Sequence, residues 1–216
     1  MSYDAFASTF SQSRKNLRWG EIGYFVEYMK KHSLDEKASI LDIGCGNGRL
    51  IETLEASGFP YSYLGTDASS GMIEEARKLH PDHAFMVLDM RGSEDLSSKD
   101  EFFRDSYQFI VFIASFHHLH TAEERHEVLE KTKKLLSPGG VLMMTNWNLM
   151  GEALFSRYRE SYQENGDFQI KIGAHERYYH GFTIAELNGL FQESGYKVIE
   201  NRVFEGGKNI ISLLTI

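Results

Sequence analysis

The chain is poor in the residues that staple, break or span a structure. One cysteine, Cys45, stands among 216 residues. It cannot close an intrachain disulfide, and no thiol cluster exists to hold a structural zinc, so a disulfide scaffold is excluded and a reducing compartment is expected. Three prolines exclude a collagen-like or mucin-like chain. The most apolar stretch, Phe109 to Phe116, falls far short of the roughly 18 residues of a membrane span. Met1 to Asn16 is polar, without the hydrophobic segment of a signal peptide, so the expectation is a cytoplasmic protein with no membrane association. Positive charge is also scarce: 23 Lys and Arg against 31 Asp and Glu give −8, and a strongly anionic partner would need a local basic patch.

What is present is a globular core, 42% hydrophobic and 13% aromatic, of a size that suits one domain with modest insertions. Ile22, Phe25, Val26 and Met29 recur at helical spacing, and Ser39 to Ile43 is a short apolar run entering a glycine cluster. The alternation continues with helix Arg49–Ala56, strand Tyr61–Gly65, helix Gly71–Leu79 and strand Ala84–Leu88. Strand Gln108–Ala114 and helix Ala122–Leu136 follow. A Pro138-Gly139-Gly140 breaker then precedes strand Val141–Asn146. Such alternation implies right-handed βαβ crossovers, hence a doubly wound α/β fold with a mostly parallel sheet. After residue 148 the rhythm changes to a polar, aromatic stretch as far as Tyr179. Helix Ile184–Ser194 and strands Lys197–Phe204 and Asn209–Ile216 complete the chain. Gly206-Gly207 predicts that the last two strands form an antiparallel hairpin.

Three glycines sit at alternate positions after the first strand, in Leu41-Asp42-Ile43-Gly44-Cys45-Gly46-Asn47-Gly48. Without Cβ atoms such a loop turns sharply and brings backbone N–H groups against a ligand at the carboxyl end of the sheet. Arg49 stands where a dinucleotide fingerprint wants its third glycine. Asp67 closes the second strand, where a carboxylate can accept from both hydroxyls of a ribose, and Asp89 closes the third.

The Asp-x-Gly-x-Gly-x-Gly pattern, with Asp67 and Asp89 at the next strand ends, resembles class I S-adenosylmethionine-dependent methyltransferases. The resemblance implies a Rossmann-like, seven-stranded sheet and S-adenosyl-L-methionine as cofactor. It implies that the cofactor is held by Gly44, Cys45, Gly46, Asn47 and Gly48, by Asp67 with Ala68, by Asp89 with Met90 near the adenine, and by Ala114 and Ser115. Asp42 is then placed near the methionyl amino group.

The chain ends add a finer likeness. Tyr3-Asp4-Ala5-Phe6-Ala7, Arg14 and Trp19, then Ser115-Phe116-His117-His118-Leu119, Trp147, and Arg177-Tyr178-Tyr179-His180 are similar to the eukaryotic tRNA wobble-uridine carboxymethyl methyltransferases. Gly20 in place of proline, Asn148 in place of alanine and a shorter segment Gly151 to His175 depart from that pattern. The likeness implies a single domain over 1–216, with an N-terminal helical cap over 1–37 and an insertion over 148–182 acting as a substrate lid. It also implies a tRNA acceptor and a small activator subunit.

An ionised carboxylate can attack a sulfonium methyl without first losing a proton, so such a site needs alignment rather than a base. Arg177 with Tyr178, Tyr179 or His180 is the expected donor set, His117 borders the reacting groups, and Arg14 with Trp19 is expected to close the pocket. The histidines His117, His118, His120 and His126 point in different directions at a strand-to-loop junction, and no metal is expected. Arg14-Lys15-Asn16-Leu17-Arg18 fits either RNA phosphate or solvent, and Phe155, Tyr158, Tyr162 and Phe168 fit either base stacking or lid packing. Two readings stay beside the tRNA enzyme: a small-molecule O- or N-methyltransferase, and a noncatalytic cofactor-binding partner subunit.

Overall fold

The computed structural model describes residues 19–33, 36–92, 106–173 and 175–216. Arg14 and the basic run around it lie outside the described residues. Seven strands form one sheet in the order β3-β2-β1-β4-β5-β9-β8. They are β1 (Ala38–Ile43), β2 (Tyr61–Asp67), β3 (Ala84–Val87), β4 (Tyr107–Ile113), β5 (Leu136–Trp147), β8 (Lys197–Val203) and β9 (Asn209–Thr215). The first five run parallel. β9 lies antiparallel to β5, and β8 antiparallel to β9, as the glycine pair between them predicts.

The central strands β1 and β4 are buried on both faces, which is why they read as unbroken apolar runs. On one face, α1 (Gly20–His32), α2 (Arg49–Ser57) and α3 (Ser70–Leu79) pack Phe25, Met29, Ile51 and Ile73 against Ile40, Phe109 and Met143. On the other, α4 (Ala122–Leu135) and α6 (Ile184–Glu193) pack Val128, Leu129, Leu187 and Phe191 against Ile110, Phe112 and Met144. Both of the latter helices start in a full capping box, Thr121 with Glu124 and Thr183 with Glu186, so their first N–H groups are satisfied by side chains.

The breaker at Pro138 does not delay β5. That strand begins at Leu136 and absorbs Pro138-Gly139-Gly140 as an irregularity, the register jumping from Tyr107↔Leu136 to Phe109↔Val141. A larger difference lies beyond residue 148. The polar, aromatic stretch, for which the sequence pattern assigns no elements, holds α5 (Glu152–Tyr158) and an antiparallel hairpin of β6 (Asp167–Ile172) with β7 (His175–His180). It has its own small core of Leu149, Phe168, Ile170 and Tyr179, on which Trp147, Phe155, Tyr158 and Tyr162 pack. Phe168, Ile170 and Ile172 alternate at period two, a strand signal present in the sequence.

Candidate active site

The chain leaves β1 for β2 and β3 on one side, then returns to β4 on the other. The strand order therefore reverses between β1 and β4, and a cleft of about 600 Å³ opens at their carboxyl ends.

Its first half is built largely from backbone. Gly44 and Cys45 both donate to the Thr66 carbonyl, at 2.7 and 2.9 Å, which folds the loop over the end of β2. Gly44 has φ +76°, and a Cβ there would lie 2.3 Å from that of Ser115, so no other residue fits. Ser115 in turn donates to the Ile43 carbonyl at 2.6 Å and ties the β4 loop to β1. Asp67 is oriented by two backbone donors, Gly46 N at 3.0 Å and Ser69 N at 2.9 Å. Ala114 holds φ +53°, a left-handed conformation unusual for a residue with a Cβ, at the cleft wall.

Asp42 is 1% exposed. One carboxylate oxygen accepts from the Tyr63 hydroxyl at 2.9 Å, while the other is buried without a partner. Burial, with the like charge of Asp67, raises Asp42 to about 7 against the opposing effect of Tyr63. A buried acceptor that lacks a donor and borders the cleft suits an ammonium group, the end that S-adenosylmethionine carries beside its sulfonium. The glycine cradle and the Asp67 carboxylate suit the adenosine portion. Cys45 lines the same wall, but burial and the neighbouring Asp42 and Asp67 push its thiol well up, so it packs rather than reacts.

The second half is built from side chains. The Trp147 ring stacks on Tyr179 at 4.9 Å and 13°, and on Tyr158 at 6.1 Å and 23°. Its backbone N–H donates to His117 Nδ1 at 3.2 Å, so the His117 ring proton sits on Nε2. His118 Nδ1 donates to the Tyr178 carbonyl at 3.0 Å, which fixes the opposite tautomer. Burial is the main reason both imidazoles stay neutral. His117 is held well below the usual range with help from His118 and His180, and His118 is held at about 4 with help from Arg177 and His120. Arg177 lines this half, its terminal guanidinium nitrogens withdrawn from solvent.

Most of the residues expected at the site do meet in this cleft. On the cofactor side these are Trp19, Asp42, Gly44, Cys45, Gly46, Asn47, Asp67, Ala68, Asp89, Met90, Ala114 and Ser115. His117, Arg177, Tyr178 and Tyr179 line the other side. Gly48 does not line it. Its φ of +82° caps α2, and a Cβ there would meet His80 at 2.8 Å, so its lack of a side chain serves packing against α3 and β3. His180 also lies behind the wall, 3% exposed, with both ring nitrogens bonded to carboxylates. The hydroxyl of Tyr178 donates to Asp167 at 2.6 Å, so its proton is committed away from the cleft.

Asp89 faces Arg91, whose guanidinium grips both carboxylate oxygens at 2.7 to 3.2 Å. Sequence reasoning passed over Arg91. It passed over Arg49 too, which lines the cleft with its guanidinium 4.9 Å above the Trp19 ring, and over Gln169 and Glu176. The period-two signal of β6 could have found Gln169. Arg91 could have been found from its place two residues after Asp89. Among the described residues, no three His, Cys, Asp or Glu converge as a metal site.

A family profile described as "Methyltransferase domain" matches residues 15–201. The chain is 30% identical over 164 residues to a tRNA (carboxymethyluridine(34)-5-O)-methyltransferase of Saccharomyces cerevisiae, covering 76% of this chain and 52% of that protein. The chain thus spans about half the length of this relative. A solved S-adenosylmethionine-dependent methyltransferase from Clostridium acetobutylicum shares the fold, with TM-score 0.72 over 99% of this chain and 98% of that one at 13% identity. A putative methyltransferase from Haloferax volcanii, solved in complex with the Trm112 methyltransferase activator, matches with TM-score 0.71 over 99% and 96% of the two chains at 15% identity. With a glycine cradle at the strand reversal, a carboxylate at the tip of β2 and a buried acceptor without a donor beside them, the match of the family profile over residues 15–201 places the chain in the methyltransferase-domain family, as an S-adenosylmethionine-dependent methyltransferase.

Proposed function

We propose that the enzyme methylates a carboxylate oxygen, and that the acceptor is the 5-carboxymethyl group of a wobble uridine in tRNA. The observation that carries the reading is the pairing of Arg177 with two neutral histidines in the second half of the cleft. Of the other guanidinium groups on the cleft, Arg91 grips Asp89 and Arg49 lies over Trp19. Arg177 stands in the half of the cleft given to the acceptor, where its planar fork matches a carboxylate.

Bound S-adenosylmethionine supplies a methyl group on a positively charged sulfur. A carboxylate acceptor is already ionised at neutral pH, so no side chain has to remove a proton, and histidines whose basicity is weakened by burial agree with that. His117 presents its Nε2–H as a donor, and the Trp147–Tyr179 stack excludes water from the same wall. The likeness to the yeast relative, whose name specifies a carboxymethyluridine, supports the finer assignment. A small activator subunit belongs to the same reading, since a solved neighbour forms a complex with one.

Transfer of a labelled methyl group from S-adenosylmethionine to bulk tRNA, with and without a Trm112-type activator, tests this. Incorporation into a base-labile ester at the wobble nucleoside is expected, as is loss of that ester from wobble nucleosides in a deletion strain. A net charge of −8 favours a small-molecule acceptor as the second reading. Label found in a metabolite extract and absent from tRNA would establish it.

A further inference from the structure

The β6–β7 hairpin, which carries Arg177, is fastened to the domain through a cluster of charges. Asp167 opens β6 and His180 closes β7, opposite one another in the ladder. A single oxygen of Asp167 accepts from His180 Nδ1 at 2.8 Å and from the Tyr178 hydroxyl at 2.6 Å. The other ring nitrogen, Nε2, lies 2.6 Å from Glu186 Oε1. Glu186 is the capping-box residue of α6, and its second oxygen accepts from the Thr183 N–H. Arg125, from α4, comes within 3.9 Å of Glu186, donates to the Tyr178 hydroxyl at 3.1 Å and lies over the Phe182 ring. Phe182 meets the His180 ring edge-on at 4.6 Å. Gly166 leaves room for that ring, since a Cβ there would come within 3.0 Å of His180 Cε1.

A neutral imidazole has one N–H and can donate to one carboxylate. Two carboxylates at hydrogen-bond distance on a buried ring call for both nitrogens to donate, and charge-assisted bonds of this kind are the strong ones. We infer that Asp167, His180, Glu186 and Arg125 form a positioning clamp, in which a doubly protonated His180 between two carboxylates fixes the end of β7 and so sets Arg177 at the acceptor side of the cleft.

The clamp joins the hairpin, through Asp167 and His180, to α6, which follows it directly in sequence, through Glu186, and to the more distant α4 through Arg125. Asp167, Glu186 and Arg125 touch no acceptor in this account; they act through Arg177. The purpose assigned to the clamp rests on Arg177 being the acceptor anchor proposed above. A displacement of about 1 Å at such an anchor costs about a hundredfold in rate, which is the scale of effect a positioning group can have.

Nitrogen-15-labelled protein saturated with S-adenosylhomocysteine tests the clamp without any acceptor. Long-range proton–nitrogen spectra of the wild type at pH 7 are expected to show both ring nitrogens of His180 protonated. In Glu186→Gln the new amide can donate to Nε2, and His180 is expected to fall to a single Nδ1–H tautomer. The Arg177 Nε resonance should move in both Glu186→Gln and Asp167→Asn. Affinity for S-adenosylhomocysteine should stay within about twofold, because the cofactor half shares no partner with the clamp. Thermal unfolding checks that each variant is folded, and the wild-type spectrum serves if Asp167→Asn is not. A neutral single-tautomer His180 in the wild type, or an Arg177 resonance unmoved in both variants, overturns the clamp. Failure of the wild type to bind S-adenosylhomocysteine would strike the cofactor assignment instead and leave the histidine result readable.

Discussion

On the side proposed for the cofactor the cleft is walled largely by loop backbone and strand-tip carboxylates, the glycine loop and Asp67 coming from one βαβ unit and Asp89, Ala114 and Ser115 from the ends of β3 and β4. On the acceptor side it is walled by aromatic rings and a guanidinium from β5, the turn after β4, and the β6–β7 hairpin, and that hairpin is tied down by ion pairs. The first wall is rigid because its glycines have no alternative conformation that keeps the contacts. The second is held by side chains and can be retuned one residue at a time. A cofactor site fixed in backbone with an acceptor site made of replaceable side chains lets one fold serve many methyl acceptors.

The largest expected break in that contrast comes from Gly44→Val. A left-handed backbone and a Cβ 2.3 Å from that of Ser115 together cost roughly 4 kcal/mol. Calorimetry should then show no S-adenosylhomocysteine binding, and affinity within tenfold of wild type would mean that the cradle is elsewhere. Arg177→Gln should act on the opposite side: acceptor kcat/KM falls by about a hundredfold, the range for losing one partner of a buried charged pair, while cofactor affinity holds. Equal losses on both sides would erase the division.

Asp42→Asn sharpens the comparison through pH. The folded value of about 7 lies above the unfolded carboxylate value of about 4, so between those limits the native state holds the extra proton. Its stability contribution is complete below about pH 4 and is lost as pH rises towards 7. The asparagine variant should lose that slope and gain on the order of 2 kcal/mol at pH 7, while binding S-adenosylhomocysteine more weakly. Unfolding curves from pH 4 to 8 that stay parallel to wild type would contradict the assignment. Arg91→Ala is expected to do least. It releases Asp89 from an exposed pair worth at most about 1 kcal/mol, so cofactor affinity should rise by no more than about fivefold. A fall would show that Arg91 itself holds the adenine end.

The alternating apolar runs and the glycine loop placed the sheet, its crossovers and the cofactor wall, because those features depend on residues within a few positions of one another. Local spacing did not distinguish Gly48 from the two glycines before it; its neighbour His80, at the end of α3, is met only in the fold. In the run Arg177 to His180, Tyr178, Tyr179 and His180 stand in sequence as alternative companions of Arg177, and the strand divides them by sending alternate side chains to opposite faces. Arg177 and Tyr179 share a face with Ile170 and Phe168, whereas Tyr178 and His180 share one with Gln169 and Asp167.

The sequence by itself determined a doubly wound methyltransferase sheet and the carboxylates at its strand tips, since periodicity, caps and glycine spacing are local and additive. Only the tertiary structure decided which nitrogens of His117 and His118 carry a proton, which of the aromatic residues stack, and that both ring nitrogens of His180 meet carboxylates. Those outcomes depend on partners carried by other elements of the fold, and hydrogen-bond roles are settled only when the groups are brought face to face.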